Sequence, residues 1–313
     1  MIAVMFAALG VDTSVFLSVW AMALARVHAA RPVGEMRPTL RHCGIGFVTN
    51  VFDTLGVGSF ATTSAFFKLW RVVPDEQIPG TLNVGHTLPS VLQAFLYMTF
   101  VHVEMTTLMP MVGATILGAW LGAEVVAGWP RRKIQIGMGI ALLLAATAMV
   151  MTQFSLFPPG GDSLGLGGVK LAVAVVGNFI LAMLMMLGIG FYAPCMVMVC
   201  LLGMNPAAAF PIMMSSCAFM MPVGSIPFIR RQSYDIKAAL GLAIGGLPGV
   251  LAVAILVKSL PLTAVRWLVI VVVIYAATMM LRSAVLEAQS RKATAATPDP
   301  AGIEIARSNK SVI

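Results

Sequence analysis

The sequence predicts an all-α polytopic membrane protein built from two related halves, and three observations support this. Hydrophobic residues make up 59% of the chain and charged residues only 10%, whereas a soluble domain carries about 25% charged residues. Several apolar windows exceed the roughly 18 residues that indicate a membrane-spanning helix. A short stretch also occurs twice, as Leu-Gly-Val-Gly at residues 55–58 and as Leu-Gly-Ile-Gly at residues 187–190, 132 positions apart.

The repeated stretch belongs to a longer internal duplication. Other residues match at the same offset of 132, and one pair of positions matches at an offset of 131. The matches are Ala61 with Ala193, Pro79 with Pro211, Gly113 with Gly245, and Trp129-Pro130 with Leu260-Pro261. Duplicated halves with glycine-interrupted apolar segments at corresponding places are typical of secondary transporters.

The composition argues against several other classes of protein. The formal charge of +8 could suggest nucleic-acid binding, but Lys and Arg cluster between the apolar windows and not along one face. No Walker sequence is present. The pattern Gly-x-Ser-x-Gly occurs at residues 161–165, in the linker between the halves, and nothing in the sequence places His86 against a serine. The four cysteines lack the spacing of a zinc site or a disulfide framework. We therefore expect no enzyme, no nucleic-acid partner, no cofactor and no resident metal.

The first predicted element is a membrane helix that precedes the duplicated region. Its apolar window covers residues 2–25, and Arg26, Arg31, Arg37 and Arg41 follow it. Because basic residues favour the cytoplasmic side, the N-terminus would lie outside. A retained helix is favoured over a cleaved signal peptide, since no basic residue opens the window.

Each half is predicted to contain one broken helix followed by three membrane helices. Gly56 and Gly58 interrupt the window 44–70, and Gly188 and Gly190 interrupt the window 171–202. The later windows are 78–100, 105–127 and 134–154 in the first half, and 207–229, 238–257 and 264–286 in the second. The predicted segments are 1–43 (N-terminal helix and cytoplasmic loop), 44–157 (first repeat), 158–170 (linker), 171–286 (second repeat) and 287–313 (disordered cytoplasmic tail).

The distribution of charge indicates how the two broken segments lie. If every window crossed the membrane, 13 of the 20 Lys and Arg residues would be cytoplasmic. If each broken segment instead entered the membrane and returned to the side from which it came, 17 of the 20 would be cytoplasmic. The positive-inside rule favours the second arrangement. Each repeat then has a re-entrant hairpin and three crossings, and since three is odd the second repeat is inverted. We expect a multi-pass protein of the bacterial inner membrane with a cytoplasmic C-terminus.

Three sequence features suggest a family. The first is the glycine turn early in each half. The second is a following helix with small polar residues and proline. It runs from Gly80 to Pro89 in the first half, and from Pro211 through Ser215 and Ser216 to Pro222 in the second. The third is a glycine-rich helix that ends before proline and arginine, at residues 113–131 and 245–266. In these features residues 44–285 resemble the TauE/SafE sulfite-exporter superfamily of anion permeases. The chain departs from the family's glycine-rich turn at Ser59-Phe60 and at Phe191-Tyr192.

The resemblance implies a secondary transporter of a small anion: sulfite, a sulfonate or a related sulfur-containing anion. Transport would proceed by alternating access and would use an ion gradient. The other expected partners are the lipid bilayer and a coupling ion, for which H⁺ is a candidate, and a homodimer is left open.

The paired glycine turns form the predicted substrate site. Backbone N–H groups at helix N-termini bind anions, and two such tips facing each other near the membrane midplane would need no cationic side chain. The predicted substrate-binding residues are Gly56, Gly58, Ser59, Thr62, Asn83, Thr87, Gly188, Gly190, Tyr192, Ser215 and Ser216. The alternative is that the glycines only permit close helix packing and that the hydroxyl and amide groups join helices.

Ionisable residues inside apolar windows are candidates for proton coupling. His86 is one, because the imidazole titrates near neutral pH. Asp53 is another, although it could instead cap a half-helix. Glu124 lies near a predicted helix end and could reach the interface.

Two alternative functions remain at this stage. The 23 methionines, among them Met196 and Met198 between Cys195 and Cys200, could line a route for copper(I), although methionine more often serves as adaptable packing. A membrane accessory protein without transport activity is the other alternative.

Overall fold

A computed structural model describes residues 2–30, 36–100, 103–156, 160–188 and 190–256, together with parts of 270–286. The predictions for Ile189, Pro158, Pro159, residues 257–269 and the tail 287–313 concern residues outside these ranges. In the described part the regular structure is helical, apart from one isolated bridge between Ser163 and Met204. The prediction of an all-α protein is confirmed.

Ten helices precede residue 257 in the described ranges. They are α1 (Ile2–Ala30), α2 (Leu40–Thr54), α3 (Ser59–Trp70), α4 (Ile78–Phe100), α5 (Met105–Val126), α6 (Arg131–Gln153), α7 (Gly168–Met185), α8 (Tyr192–Leu201), α9 (Pro206–Arg230) and α10 (Ile236–Leu256). The described residues between 270 and 286 are also helical.

Both predicted broken segments are pairs of helices in the structure. The first break separates α2 from α3, and its glycines Gly56 and Gly58 have φ angles of 81° and 94°. The second separates α7 from α8, where Gly188 has a φ of 106°. Glycine adopts these left-handed conformations without the steric cost that a Cβ atom imposes. The glycines therefore end one helix and allow the next to start in a new direction.

Within the described ranges, five helices are long and apolar enough to cross a membrane, which confirms the prediction of a multi-pass membrane protein. The spans are Ala3–Ala29, Met105–Val126, Gly168–Met185, Pro206–Arg230 and Ile236–Val253. α4 carries buried polar residues, among them Asn83, His86 and Gln93. Polar groups inside a membrane protein are costly unless they have partners, so α4 is the helix on which to look for a site.

The helix contacts of one half recur in the other. α2 packs on α10, and its counterpart α7 packs on α5. α4 and α9, the first helices after each broken pair, pack on each other; α4 also contacts α10, and α9 also contacts α5. α1 lies outside this scheme, against α9 and α4. The duplication inferred from the sequence therefore has a counterpart in the packing.

Glycines allow the closest of these contacts. On α10, a Cβ atom at Gly245 would overlap the carbonyl oxygen of Cys43, and one at Gly249 would lie 2.5 Å from the carbonyl oxygen of Phe47. On α5, a Cβ atom at Gly118 would overlap the carbonyl oxygen of Phe179. Small residues that let helix backbones approach are the usual basis of helix association in bilayers.

The two helix pairs end at opposite ends of the molecule. At one end, Lys68 in the last turn of α3 binds Asp75 before α4, with Nζ 2.7 Å from Oδ1. At the other end, Met204 beyond α8 accepts the N–H of Gly161, and Ser163 accepts the N–H of Asn205. This placement is compatible with the inferred inversion, and the orientation of the two halves in a membrane stays a prediction.

Candidate functional site

The two helix breaks meet at one cavity of about 340 Å³. Residues from both breaks line it, together with residues of α4, α6, α7 and α9. The lining residues are Asp53, Gly56, Val57, Gly58, Ser59, Phe60, Ala61, Ser90, Leu144, Leu181, Leu184, Met185, Gly190, Phe191, Tyr192, Ala193, Pro194, Cys217 and Met221. The two breaks lie far apart in the sequence, and helix contacts between the halves, such as that of α4 with α9, bring them together.

Asp53 caps the first break. Its Oδ1 atom accepts a hydrogen bond from the backbone N–H of Ser59 at 2.6 Å, at the start of α3. Gly58, the N-cap residue of α3, provides no side chain for this purpose. An acceptor at this place satisfies one of the free N–H groups of the helix and lies at the positive end of its dipole. Asp53 is only 3% exposed, so this hydrogen bond helps to compensate for its burial.

Tyr192, the first residue of α8, connects the second break to the first. Its hydroxyl lies 3.3 Å from Oδ2 of Asp53, 3.3 Å from Oε1 of Gln93 and 3.0 Å from Sδ of Met214. A phenol has one proton to donate, so it satisfies one of these acceptors at a time. The cavity therefore contains a hydrogen-bond donor that can change its partner between the two halves of the chain.

The N-terminus of α8 differs from that of α3 in having no side-chain cap. Among the residues that the structure describes, no side chain accepts a hydrogen bond from its first N–H groups, and its N-cap residue is Phe191. Pro194 in the first turn has no N–H of its own, so Tyr192 and Ala193 provide the free backbone donors beside the cavity. An acceptor that enters the cavity can bind here without displacing a protein group.

Gln93 is a polar residue of this site that the sequence analysis did not select. Its Nε2 atom donates to Oγ1 of Thr54 at 2.9 Å, and Tyr97 donates to the carbonyl oxygen of Thr54 at 2.6 Å. These contacts hold the end of α2 against α4. The sequence does contain a signal for Gln93: it is a polar residue seven positions after His86 within an apolar window, and polar residues inside membrane segments are functional candidates.

About half of the predicted site residues line the cavity. They are Asp53, Gly56, Gly58, Ser59, Gly190 and Tyr192. Ser90 and Cys217 also line it, but the sequence analysis did not place them at a site.

The other predicted residues lie in the protein interior away from the cavity lining. Thr62 donates to carbonyl oxygens of its own helix, and Gly188 lies beside Met138. Thr87 donates to the carbonyl oxygen of Asn83 at 2.7 Å.

Further hydrogen bonds of this group connect helices. Oγ of Ser225 on α9 lies 3.3 Å from Oγ1 of Thr87 on α4. Asn178 on α7 donates to Ser216 on α9 at 3.4 Å. Ser215 has no hydrogen-bond partner within the described ranges. Thr87 and Ser216 therefore connect helices, as the alternative interpretation expects.

His86 also lies outside the cavity lining. Its Nδ1 atom is 3.0 Å from Nδ2 of Asn50, and its Nε2 atom is 2.9 Å from Oγ1 of Thr63. The residue is completely buried, and both ring nitrogens are engaged. Glu124, in contrast, pairs with Arg231 at 2.7 Å in an exposed position.

Sulfur atoms contribute to one side of the cavity. Met185, Cys217 and Met221 line it, and Sγ of Cys217 lies 4.0 Å from Sδ of Met185. In the part of the chain that the structure describes, no group of three or more His, Cys, Asp or Glu residues could hold a metal ion.

The fold and the cavity define a multi-pass helical membrane protein with a buried chamber between two broken helices. Comparison with known families makes this more specific: the model of the sulfite exporter TauE/SafE family matches residues 170–306. The resemblance inferred from the sequence is confirmed over this second half of the chain, and it indicates a membrane transport protein. Searches among curated proteins and among solved structures find no match.

Proposed function

We propose that the protein is a secondary transporter of a small sulfur-containing anion, and that the cavity between the two breaks is its substrate site. The observation that carries this proposal is that two glycine breaks from different halves line one cavity. Broken helices that meet at the repeat interface are the usual substrate sites of secondary transporters. The family match in the second half supports the same class of substrate.

The anion would bind to backbone donors at the start of α8. This helix begins at the cavity without a side-chain cap, whereas α3 is already capped by Asp53. A helix N-terminus attracts an anion through its free N–H groups and its dipole. None of the described residues that line the cavity is Lys or Arg, so these donors and the Tyr192 hydroxyl would supply the attraction.

The lining of the cavity favours an organic anion over sulfite itself. Phe60, Phe191 and several Leu and Met side chains form most of the wall. Ligand sites of this kind bind an apolar body and orient it through a few polar groups. A short sulfonate would contact both parts of the wall, whereas sulfite has no apolar group to place against it.

Asp53 gives a reason for coupling to protons. An anion in the cavity would share it with a buried carboxylate, and two such charges about 5 Å apart repel by ~3 kcal/mol at an effective dielectric constant of 20. A proton on Asp53 removes this repulsion. We therefore propose that anion and proton occupy the site together, with Asp53 as the proton carrier in preference to His86, which does not line the cavity.

Alternating access would follow from the inverted arrangement proposed for the two halves. Each half contributes one break to the cavity, so rocking one half against the other could open it to either side. The membrane would be the bacterial inner membrane, with the N-terminus outside.

The test is uptake of radiolabelled sulfite and of a labelled alkyl sulfonate into proteoliposomes, with and without a pH gradient. We expect saturable, gradient-dependent flux that is greater for the sulfonate. Gly190→Leu should reduce it at least tenfold, because nothing lies within 4 Å of a Cβ atom there and the side chain would extend into the cavity.

Gly113→Leu is the matched control. Nothing lies within 4 Å of a Cβ atom at this position either, but Gly113 is on the exposed side of α5. Flux should be retained. Equal loss in both variants would contradict the assignment of the cavity, and absence of flux for every anion would favour the accessory-protein alternative.

Copper(I) transport remains a second candidate because Met185, Cys217 and Met221 line the same cavity. Thioether and thiolate sulfur are ligands that copper(I) prefers. The two functions differ in one variant: Cys217→Ala should abolish copper(I) flux and leave sulfonate flux within about twofold, since free cysteine otherwise packs as a small apolar side chain.

A further inference from the structure

A second cavity, of about 550 Å³, lies where α1 meets the connection between α9 and α10. It is separate from the proposed substrate cavity and shares no lining residue with it. Its lining residues are Val19, Met22, Ala23, Arg26, Val27, Met36, Gln77, Ile229, Arg230, Gln232, Tyr234, Asp235, Ile236 and Lys237.

Three cationic side chains face this cavity. Arg26, Arg230 and Lys237 line it and form no ion pair with any residue that the structure describes. Among the described lining residues Asp235 is the one acid, and its Oδ1 atom accepts the N–H of Ala238 at the start of α10. The described lining therefore has three cations and one carboxylate, an excess of positive charge.

The three cations lie at the ends of three membrane helices. Arg26 follows the apolar part of α1, Arg230 is the last residue of α9, and Lys237 is the second residue of α10. All three positions belong to the end of the molecule that the charge distribution assigns to the cytoplasm. This places the cations at the level where lipid phosphates lie, beside a leaflet that carries anionic lipids.

Apart from Arg26, the wall that α1 contributes is apolar, while Gln77 and Gln232 are polar residues elsewhere in the lining. Val19, Met22, Ala23 and Val27 form this apolar wall, and Met22 is 54% exposed on the outer surface of α1. An anion dissolved in water would gain nothing from such a wall. An amphiphile would, because its charged group can meet the cations while its chain continues along α1.

Tyr234 adds a neutral donor at the base of the cavity. It lies in the connection between α9 and α10, and burial raises its pKa to about 12. Its hydroxyl therefore keeps its proton at physiological pH and can donate to an oxygen of a bound phosphate group.

We propose that this cavity binds the phosphodiester headgroup of an anionic membrane lipid, held by Arg26, Arg230 and Lys237, with an acyl chain against α1. Basic pockets between helices on the cytoplasmic side are suited to such headgroups. The bound lipid would join α1 to the duplicated core. This inference does not depend on what the protein transports.

The site has no counterpart in the other half of the chain. At the repeat offset, Met98 and Met105 occupy the positions equivalent to Arg230 and Lys237. α1 also lies outside the duplication. The lipid site is therefore a feature of the added N-terminal helix and not of the repeated architecture.

The experiment measures lipid retention by the full-length protein in detergent by native mass spectrometry. Purified protein is incubated with phosphatidylglycerol or with phosphatidylcholine. We expect preferential retention of phosphatidylglycerol, and a loss of about 25-fold in the double variant Arg230→Gln with Lys237→Gln, since each cation near a membrane surface contributes about fivefold. Glutamine keeps most of the side-chain length and removes the charge.

The control variant is Arg132→Gln with Lys133→Gln, which removes two exposed cations from the start of α6. It should retain the lipid as the wild type does. Thermal unfolding provides the second measurement: phosphatidylglycerol should raise the Tm of the wild type and of the control, but not that of the site variant, whose Tm in phosphatidylcholine should equal the wild-type value.

Three results would overturn the proposal. One is equal lipid loss in the two double variants, and another is equal retention of the two lipids by the wild type. The third is a Tm increase with inorganic phosphate alone as large as that with phosphatidylglycerol, which would identify a site for a soluble anion.

Discussion

At the scale of single residues, Asp53 has two roles that sequence reasoning presented as alternatives. It caps α3 through the N–H of Ser59, and its other oxygen faces Tyr192 from the opposite half. The other groups around it that can lose a proton are Tyr97 on α4 and Cys217 on α9. The Asp53 carboxyl group can respond to an anion in the cavity, because the ionised carboxylate and the anion would place two negative charges close together.

Replacement of Asp53 should therefore remove the dependence of transport on the pH gradient while the protein still exchanges anions. In Asp53→Asn the amide oxygen can still accept the Ser59 N–H, but the side chain no longer titrates. We expect uptake driven by a pH gradient to fall at least tenfold, while exchange of labelled for unlabelled anion across proteoliposomes persists.

His86→Gln provides the comparison for this prediction. His86 contacts Asn50 and Thr63 and does not line the cavity. The gradient should still drive uptake in this variant. If His86→Gln abolishes the response to pH and Asp53→Asn retains it, then the histidine is the proton carrier and our assignment is wrong.

At the scale of helices, the contact between α2 and α10 depends on the absence of side chains. The atoms that a Cβ at Gly245 would meet are the Cα, C and O atoms of Cys43. Backbone atoms cannot rotate away as the end of a side chain can, so the two helices would have to move apart. α2, the first arm of the broken segment, carries Asp53, so the position of Asp53 depends on the contact between α2 and α10.

Gly245→Val should destabilise the protein by ~3 kcal/mol, the upper end of the usual cost of overpacking. The expected observation is a lower Tm in detergent than for Gly113→Val, which adds the same side chain where nothing lies within 4 Å. Similar Tm values for the two variants would show that α2 and α10 can separate at little cost.

A second feature at the scale of helices is the ion pair between Lys68, at the end of α3, and Asp75. Nζ of Lys68 lies 2.7 Å from Asp75, and the two side chains are only 13% and 8% exposed. Gln135 on α6 donates to the same carboxylate at 2.8 Å, and Lys68 also donates to Ser283 at 3.1 Å. The pair thus connects the second arm of the first hairpin to three other parts of the chain.

Removal of Lys68 should leave a mostly buried carboxylate with less charge compensation. We expect Lys68→Met to cost ~3 kcal/mol, as for other buried pairs that lose one partner. Arg231→Met should cost less than ~1 kcal/mol, because the Arg231–Glu124 pair is exposed and water screens it. Chemical denaturation in detergent measures both, and equal values would mean that the Lys68 pair behaves as a surface pair.

At the scale of the whole molecule, the two halves share packing but differ in chemistry. Asp53, Ser59 and Ser90 bring polar groups to the cavity from the first half, whereas Met185, Cys217 and Met221 come from the second. The family match covers residues 170–306, so Asp53, Ser59 and Ser90 lie outside the matched region, whereas Tyr192 and the start of α8, the donors proposed for the anion, lie inside it. Substrate preference would then depend on both halves.

The topology predicts opposite labelling of two loops. In a background with Cys43→Ser, Pro74→Cys before α4 should react with a membrane-impermeant thiol reagent only from the cytoplasm. Leu164→Cys before α7 should react only from the outside, and both positions are exposed. Labelling of both positions from the same side would contradict the inverted arrangement of the two hairpins.

The sequence by itself determined the helical membrane class, the position of both breaks and six of the residues that line the cavity. These follow from local causes: apolar windows of membrane length, glycines that permit positive φ, and the repetition of both along the chain. The family resemblance was also available from these residues, and the match at 170–306 confirms it for the second half.

Only the tertiary structure decided which polar residues face the cavity. Thr87 and Gly188 occur at plausible positions in the sequence, but helix rotation turns the first towards Ser225 and the second towards Met138. Gln93, which gave a weak sequence signal, lies within 3.3 Å of Tyr192 because α4 packs on α9 and brings the two halves together. A chain's periodicity shows which residues share a helix face, but the contact with the next helix sets the direction of that face.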